Sequence, residues 1–326
     1  MFKKMFAAIL LLCMGNVLGV ADSSYEMIVA QDGSGDFLTV QDAINAVPDY
    51  RKAGATRIHI KKGIYKEKVI IPPSKENVQL IGGDSVVITY DDYAAKPNIF
   101  GEGMGTSGSA TIYVFAPGFV AEDIVFENSS GPVGQAVACH VAADRVAFRR
   151  CCFLGFQDTL YTFGEYTREY YEDCYIEGTV DFIFGKATAV FNRCEVHSKK
   201  SGGFLTAPAT PQDCQYGYVF YDCSLTANSD VEVGSVCLSR PWRPYGKAVF
   251  IRCNMGCHIS PQGFHNWGKP ENEETAYFAE FLSSGDGSNA EKRVPWAHQL
   301  SDIRNYCIQD VLSGDDGWNP LIAEKP

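Results

Sequence analysis

Val219-Phe220-Tyr221-Asp222-Cys223 returns thirty residues later as Val249-Phe250-Ile251-Arg252-Cys253. The same arrangement precedes them four times, as Val120-Ala121-Glu122-Asp123-Ile124, Ala147-Phe148-Arg149-Arg150-Cys151, Tyr170-Tyr171-Glu172-Asp173-Cys174 and Val190-Phe191-Asn192-Arg193-Cys194. In each, a Phe, Tyr or Ala stands three residues before a marker Cys or Ile, and alternate residues point to one face, as a half-buried strand requires. The marker recurs at spacings of 27, 23, 20, 29 and 30 residues. Self-similarity at such periods marks a solenoid, with one β-coil per repeat and loops of unequal length at the turns.

Helical signals are few. The clearest follows Thr39, where Val40, Ala43, Ile44 and Val47 fall at helical spacing; a short helix capping the first coil is expected there, since terminal repeats need covering. The sequence therefore predicts an all-β parallel β-helix, with coils from about Ile28 to His265 and a tail to Trp318 packed on its side.

Before the repeats, Lys3 and Lys4 precede an apolar run from Phe6 to Cys13 and small residues at Gly19 and Ala21. That is the layout of a secretory signal peptide, and the run is too short for the roughly 20 residues that span a bilayer. Cleavage after residue 21 leaves 22–326 as one secreted, monomeric catalytic domain without a membrane span. It carries 26 basic against 39 acidic residues, a net charge of −13, which argues against nucleic acid as a partner. Eleven cysteines remain. Equivalent positions in adjacent coils lie about 4.8 Å apart, so Cys174 and Cys194 are expected to form a disulfide, the alternative being a ladder of buried thiols.

Asp158 lies seven residues after Cys151, and Asp181 seven after Cys174. The two aspartates thus share one phase of consecutive coils, with carboxyls stacked roughly 5 Å apart. Two like charges that close cannot both ionise comfortably, so one keeps its proton near neutrality, as an acid and nucleophile pair requires.

Gln135-Ala136-Val137-Ala138, Gly155-Phe156-Gln157-Asp158-Thr159-Leu160, Asp181-Phe182-Ile183-Phe184-Gly185 and Leu238-Ser239-Arg240-Pro241-Trp242 resemble, in order and spacing, the signature blocks of the pectin methylesterases. Gly63-Ile64-Tyr65-Lys66-Glu67 is a looser fifth match, and the resemblance runs from about Ile28 to Trp318. It implies a right-handed helix that hydrolyses galacturonate methyl esters of pectin without a cofactor. Asp181 would be the nucleophile, Asp158 the acid and base, and Arg240 the partner of Asp181. Gln135 and Gln157 would be the oxyanion donors. Trp242, Phe184, Tyr161, Tyr245, Trp267 and Thr106 would contact the sugars. Two departures stand out: Ser239 where the family has Gly, and Gln262 and Phe264 where many members have Glu and Trp.

The remaining motifs carry less. The six histidines show no close paired ligand spacing, so no metal is expected. Asn128-Ser129-Ser130 is a glycosylation sequon. An inverting glycosidase would space its carboxylates about 6.5–9.5 Å apart, more than one coil step. A polysaccharide lyase would need a calcium-binding acidic cluster near Asp181, and none is present in the sequence. A catalytically silent wall-binding solenoid would not need both aspartates, both glutamines and Arg240.

Overall fold

The computed structural model describes residues 24–51 and 54–321. The expected signal peptide, residues 1–21, lies outside the described residues. The chain winds through three parallel sheets of eleven, seven and eight strands, and each strand pairs with the equivalent strand one coil away. This is an all-β, right-handed parallel β-helix.

The repeated motif builds the eleven-stranded sheet. Phe148 pairs with Tyr171, Tyr171 with Phe191, Phe191 with Phe220 and Phe220 with Phe250. Their rings stack inside the solenoid at centroid separations of 5.2, 4.7, 4.5 and 4.7 Å. All are fully buried, and each ring removes about 150–250 Å² from water.

The residue before each marker turns the chain into the next sheet. Asp123, Arg150, Asp173, Arg193, Asp222 and Arg252 have φ between 51° and 58°, a left-handed conformation uncommon outside glycine. Acid and base alternate along this ladder: Arg150 binds Asp123, Arg193 binds Asp173 and Arg252 binds Asp222, each through two hydrogen bonds of 2.7–2.9 Å. A slip of one coil would set like charges against each other, so the alternation specifies register.

The expected Cys174–Cys194 bridge does not form. Every described cysteine is a free thiol, although the register is as expected, with Tyr175 paired to Glu195. In-register parallel strands hold equivalent Cβ atoms about one strand spacing apart, near 4.8 Å. A disulfide needs about 3.8 Å, so closing it would pull two coils together. Each thiol instead points to a carbonyl of the preceding coil, Cys174 to Phe148 O, Cys194 to Tyr171 O and Cys223 to Phe191 O, at 3.3–3.5 Å. Burial also pushes the Cys174 and Cys194 thiols well above their ordinary pKa, which suppresses the thiolate that oxidation requires.

The capping helix spans Val40–Ala46, with Thr39 Oγ1 accepting from the Asp42 N–H. Glu67 completes the cap by accepting from the backbone N–H groups of Val40 and Gln41, both at 2.9 Å. At the other end the solenoid continues past His265, through Tyr277–Phe281 and His298–Gln299.

Beyond that, Ile303, Tyr306, Ile308, Val311, Leu312 and Trp318 pack on the outer face of the eleven-stranded sheet, against Tyr170, Val190 and Val219. Arg168 locks this tail down. It bonds Asp144 and Asp316, donates to the carbonyls of Leu312 and Ser313, and lies 5.7 Å from the Trp318 ring. Arg168→Ala is expected to lower stability by about 2–3 kcal/mol and to open the tail to proteolysis between residues 300 and 318, read by limited digestion and mass spectrometry.

Candidate active site

The seven-stranded sheet forms the floor of a cleft. Loops entering it (91–109, 129–138, 199–203 and 228–236) make one wall, and loops leaving it (163–167, 209–217 and 240–246) make the other. Outward positions in register along the floor are Tyr113, His140, Tyr161, Phe184 and Ala207.

Asp158 and Asp181 stand where strands Leu160–Thr162 and Val180–Gly185 begin. Leu160 pairs with Ile183, so two residues earlier Asp158 sits opposite Asp181, and the Asp158 N–H donates to Val180 O at 3.2 Å. Both have positive φ, 65° and 49°, a strained placement of the kind that clusters at functional sites. Each is 7% exposed.

Their environments differ in one respect. Arg240 binds Asp181 with both arms of its fork, Nε to Oδ1 at 2.8 Å and Nη2 to Oδ2 at 2.6 Å. Its guanidinium lies 3.8 Å from the Phe204 ring centroid and 3.8 Å from that of Trp267. The two rings fix its plane, and lysine could supply neither the fork nor the stacking. Asp158 makes no side-chain hydrogen bond among the described residues. Burial, then the Asp181 charge, push its pKa up to about 8, with Arg240 opposing. Burial also raises Asp181, but Arg240 works against it by hydrogen bond and charge. The pair therefore holds one proton near neutrality, on Asp158.

Gln135 and Gln157 form a parallel bridge one coil earlier. Neither side-chain amide is hydrogen-bonded among the described residues, so both keep their donors unused. Tyr161 and Phe184 stack at 4.1 Å, and Trp242 meets them edge-on at 6.2 and 5.8 Å. Trp267 belongs to the same cluster. Thr106 lies in the turn Gly105–Gly108 of the first wall, and Tyr245 is half-buried in the opposite wall; neither joins the cluster.

The structure accounts for both departures from the family pattern. Ser239 is fully buried, and its hydroxyl accepts from Thr206 Oγ1 at 2.8 Å. Phe264 does not reach the cleft. It stacks on Phe278 at 5.1 Å within the core.

Several cleft residues were not singled out in the sequence. Phe204 backs Arg240. His140 lies between Tyr113 and Tyr161 at 5.4 and 4.9 Å, and burial pushes its pKa down to about 4, leaving a neutral ring in the floor. The phase that aligned the aspartates also aligns Tyr113 and His140 with Tyr161, so that signal was present. Nothing local marked Phe204.

The Pectinesterase family model matches residues 26–315. The chain belongs to the pectinesterase family. It is similar to Pectinesterase 31 of Arabidopsis thaliana, 43% identical over 282 residues, covering 84% of this chain and 87% of that protein. Among solved structures it resembles the pectin methylesterase from carrot, with a TM-score of 0.81, 31% identity and coverage of 89% and 93%. It also resembles a pectin methylesterase in complex with a hexasaccharide, with a TM-score of 0.79, 30% identity and coverage of 92% and 100%. This pectinesterase is thus an enzyme, a carboxylic ester hydrolase.

The proton on Asp158 has a consequence for stability. Unfolded, this group ionises near pH 4; folded, it holds its proton to about 8. The folded state binds the extra proton across that window, so the group's contribution to stability falls as pH rises from about 4 to 8. Asp158→Asn removes the fall. In thermal scans its midpoint should match wild type at pH 4 and exceed it at pH 8 by at least roughly 1–2 °C, the shift that about 1 kcal/mol gives at this chain length.

Proposed function

We propose that the chain hydrolyses galacturonate methyl esters in pectin, releasing methanol and leaving pectate, with Asp181 as nucleophile and Asp158 as acid and base. The observation that carries this reading is a stacked carboxyl pair made unequal by one guanidinium. The ionised carboxylate is oriented by Arg240, and the protonated one is one coil step away.

Asp181 attacks the C6 carbonyl carbon, and the developing oxyanion accepts from Gln135 and Gln157. Collapse of the tetrahedral species breaks the bond to the methoxy group, which takes the Asp158 proton and leaves as methanol. The acyl group is now joined to Asp181. Asp158, now a carboxylate, removes a proton from water as that water attacks the acyl carbon. Asp181 departs as carboxylate and Asp158 is again protonated. Amide donors suit the oxyanion because they stabilise charge without competing with Arg240 for Asp181.

The aromatic floor of Tyr161, Phe184 and Trp242 suits the faces of sugar rings, and a structural relative is held in a complex with a hexasaccharide. The net charge of −13 for residues 22–326 favours methylated, uncharged stretches over pectate. We infer further that residues 1–21 direct secretion and that 22–326 act as a monomeric catalytic domain. No described helix is long and apolar enough to cross a membrane.

Incubation with highly methylated pectin should release methanol without shortening the chains; shortening would indicate a depolymerase instead. Asp181→Asn is expected to release none above background. Asp158→Asn should lose about 10²–10⁴ in rate while retaining slow methanol release. More than a few per cent of wild-type release from a folded Asp181→Asn would replace covalent attack with direct attack by water. As pH rises through about 8, kcat/KM should fall as Asp158 loses its proton, and the pH–rate profile of the wild-type enzyme reads this directly.

A further inference from the structure

Asn128 opens the sequon Asn128-Ser129-Ser130, yet it is 2% exposed. Its Nδ2 donates to three carbonyl oxygens, Asp92 O at 2.8 Å, Val137 O at 3.0 Å and Ser109 O at 3.2 Å. Its Oδ1 accepts from the Ser130 N–H at 3.1 Å. No path remains for a glycan, and the amide has another use.

The three acceptors converge on one part of the cleft. Asp92 and Ser109 are the two ends of the wall loop 91–109, so the amide closes that loop at its base. Val137 stands two residues after Gln135 on the run that carries this glutamine to the cleft. Ser109 takes hold of the same residue from its other side: its Oγ accepts from the Val137 N–H at 3.1 Å and donates to Thr106 O at 2.7 Å. The closed loop then returns to Gln135 itself, since the Ala94 N–H donates to Gln135 O at 2.8 Å. The backbone beneath Gln135 is thus held at Val137 by Asn128 and Ser109, and at its own carbonyl by the loop they close.

We propose that Asn128 is a positioning residue for the Gln135 oxyanion donor, acting through the Val137 carbonyl and the 91–109 loop, and is not a glycosylation site; this rests on the donor role given to Gln135 above. Only a primary amide fits. The three carbonyls need two N–H donors from one atom, which a hydroxyl lacks and a carboxylate opposes. Gln135 is exposed and its amide has no other hydrogen bond among the described residues, so backbone placement is what aims it. A misplacement of about 1 Å in a catalytic group can cost on the order of 10²-fold in rate.

The test is a double-mutant cycle on methylated pectin. Asn128→Asp, isosteric but without the donors, is expected to lower kcat about tenfold or more with KM changed less than about threefold. Gln135→Ala alone is expected to lower kcat by about 10²–10³. In the Gln135→Ala background Asn128→Asp should cost little more, because the donor it aims is gone. If the two losses multiply, Asn128 acts independently of Gln135 and the inference is overturned while the donor role stands. If Gln135→Ala keeps wild-type kcat, the donor role fails and the inference falls with it. Should Asn128→Asp not fold, Ser109→Ala, which removes the acceptor for the Val137 N–H, takes its place in the cycle. Expression in a glycosylating host adds an independent readout: peptide mapping of the folded, active enzyme should show bare Asn128, and a glycan there would overturn the brace.

Discussion

Parallel in-register stacking places each residue about one strand spacing, near 4.8 Å, from its counterpart in the next coil, and the site depends on that fixed step. It is short enough that two aspartates in the same phase feel each other's charge strongly, and burial at 7% exposure removes most of the water that would screen them. The same step, kept between Cβ atoms by parallel side chains, exceeds the roughly 3.8 Å that a disulfide between equivalent cysteines needs. One constraint thus produces a coupled acid pair in the cleft and a row of unoxidised thiols in the core.

Stacking alone would give two equivalent carboxyls. What separates them is Arg240, which enters from a later coil, between the rings of Phe204 and Trp267, and reaches Asp181 with both arms of its fork. A planar cation held on both faces has little freedom to turn toward Asp158, so the asymmetry is set by packing rather than by the aspartates themselves. The hydroxyl of Ser239, immediately before the arginine, is taken by Thr206 and so does not compete for the guanidinium.

Phase explains what could be read from the sequence. Markers at uneven spacing but fixed internal pattern gave the coil order, the aromatic stack and the juxtaposition of Asp158 with Asp181, because each follows from strand periodicity alone. What could not be read depends on where loops travel. Phe204 lies in a stretch with no chemistry of its own and matters only because Arg240 crosses it. Phe264 stands where many family members have Trp, but its turn aims it at Phe278. Asn128 matched a modification pattern, and only tertiary closure over its amide reverses that reading. The Cys174–Cys194 disulfide failed for a subtler reason: the register was right, but the Cβ separation set by strand spacing exceeds that of a disulfide by about 1 Å.

The charge pattern of the solenoid separates scaffold from site. At the left-handed turn the repeat alternates Asp123, Arg150, Asp173, Arg193, Asp222 and Arg252, so every coil-to-coil contact there joins opposite signs. The cleft breaks that rule, since Asp158 and Asp181 meet with a single guanidinium between the two of them, held on one side. A chain that places opposite charges in contact at the turn could have done so in the cleft, by putting a base at the Asp158 position, and would have gained stability. It carries instead a proton-holding carboxyl whose folded form resists ionisation up to about pH 8. Sites where local consistency is given up against stability are where function is expected. Here the concession leaves a proton-holding carboxyl beside one bound by Arg240. The amide of Gln157 lies on the same coil as Asp158 and that of Gln135 one coil earlier, the arrangement that the proposed acid and nucleophile pair requires.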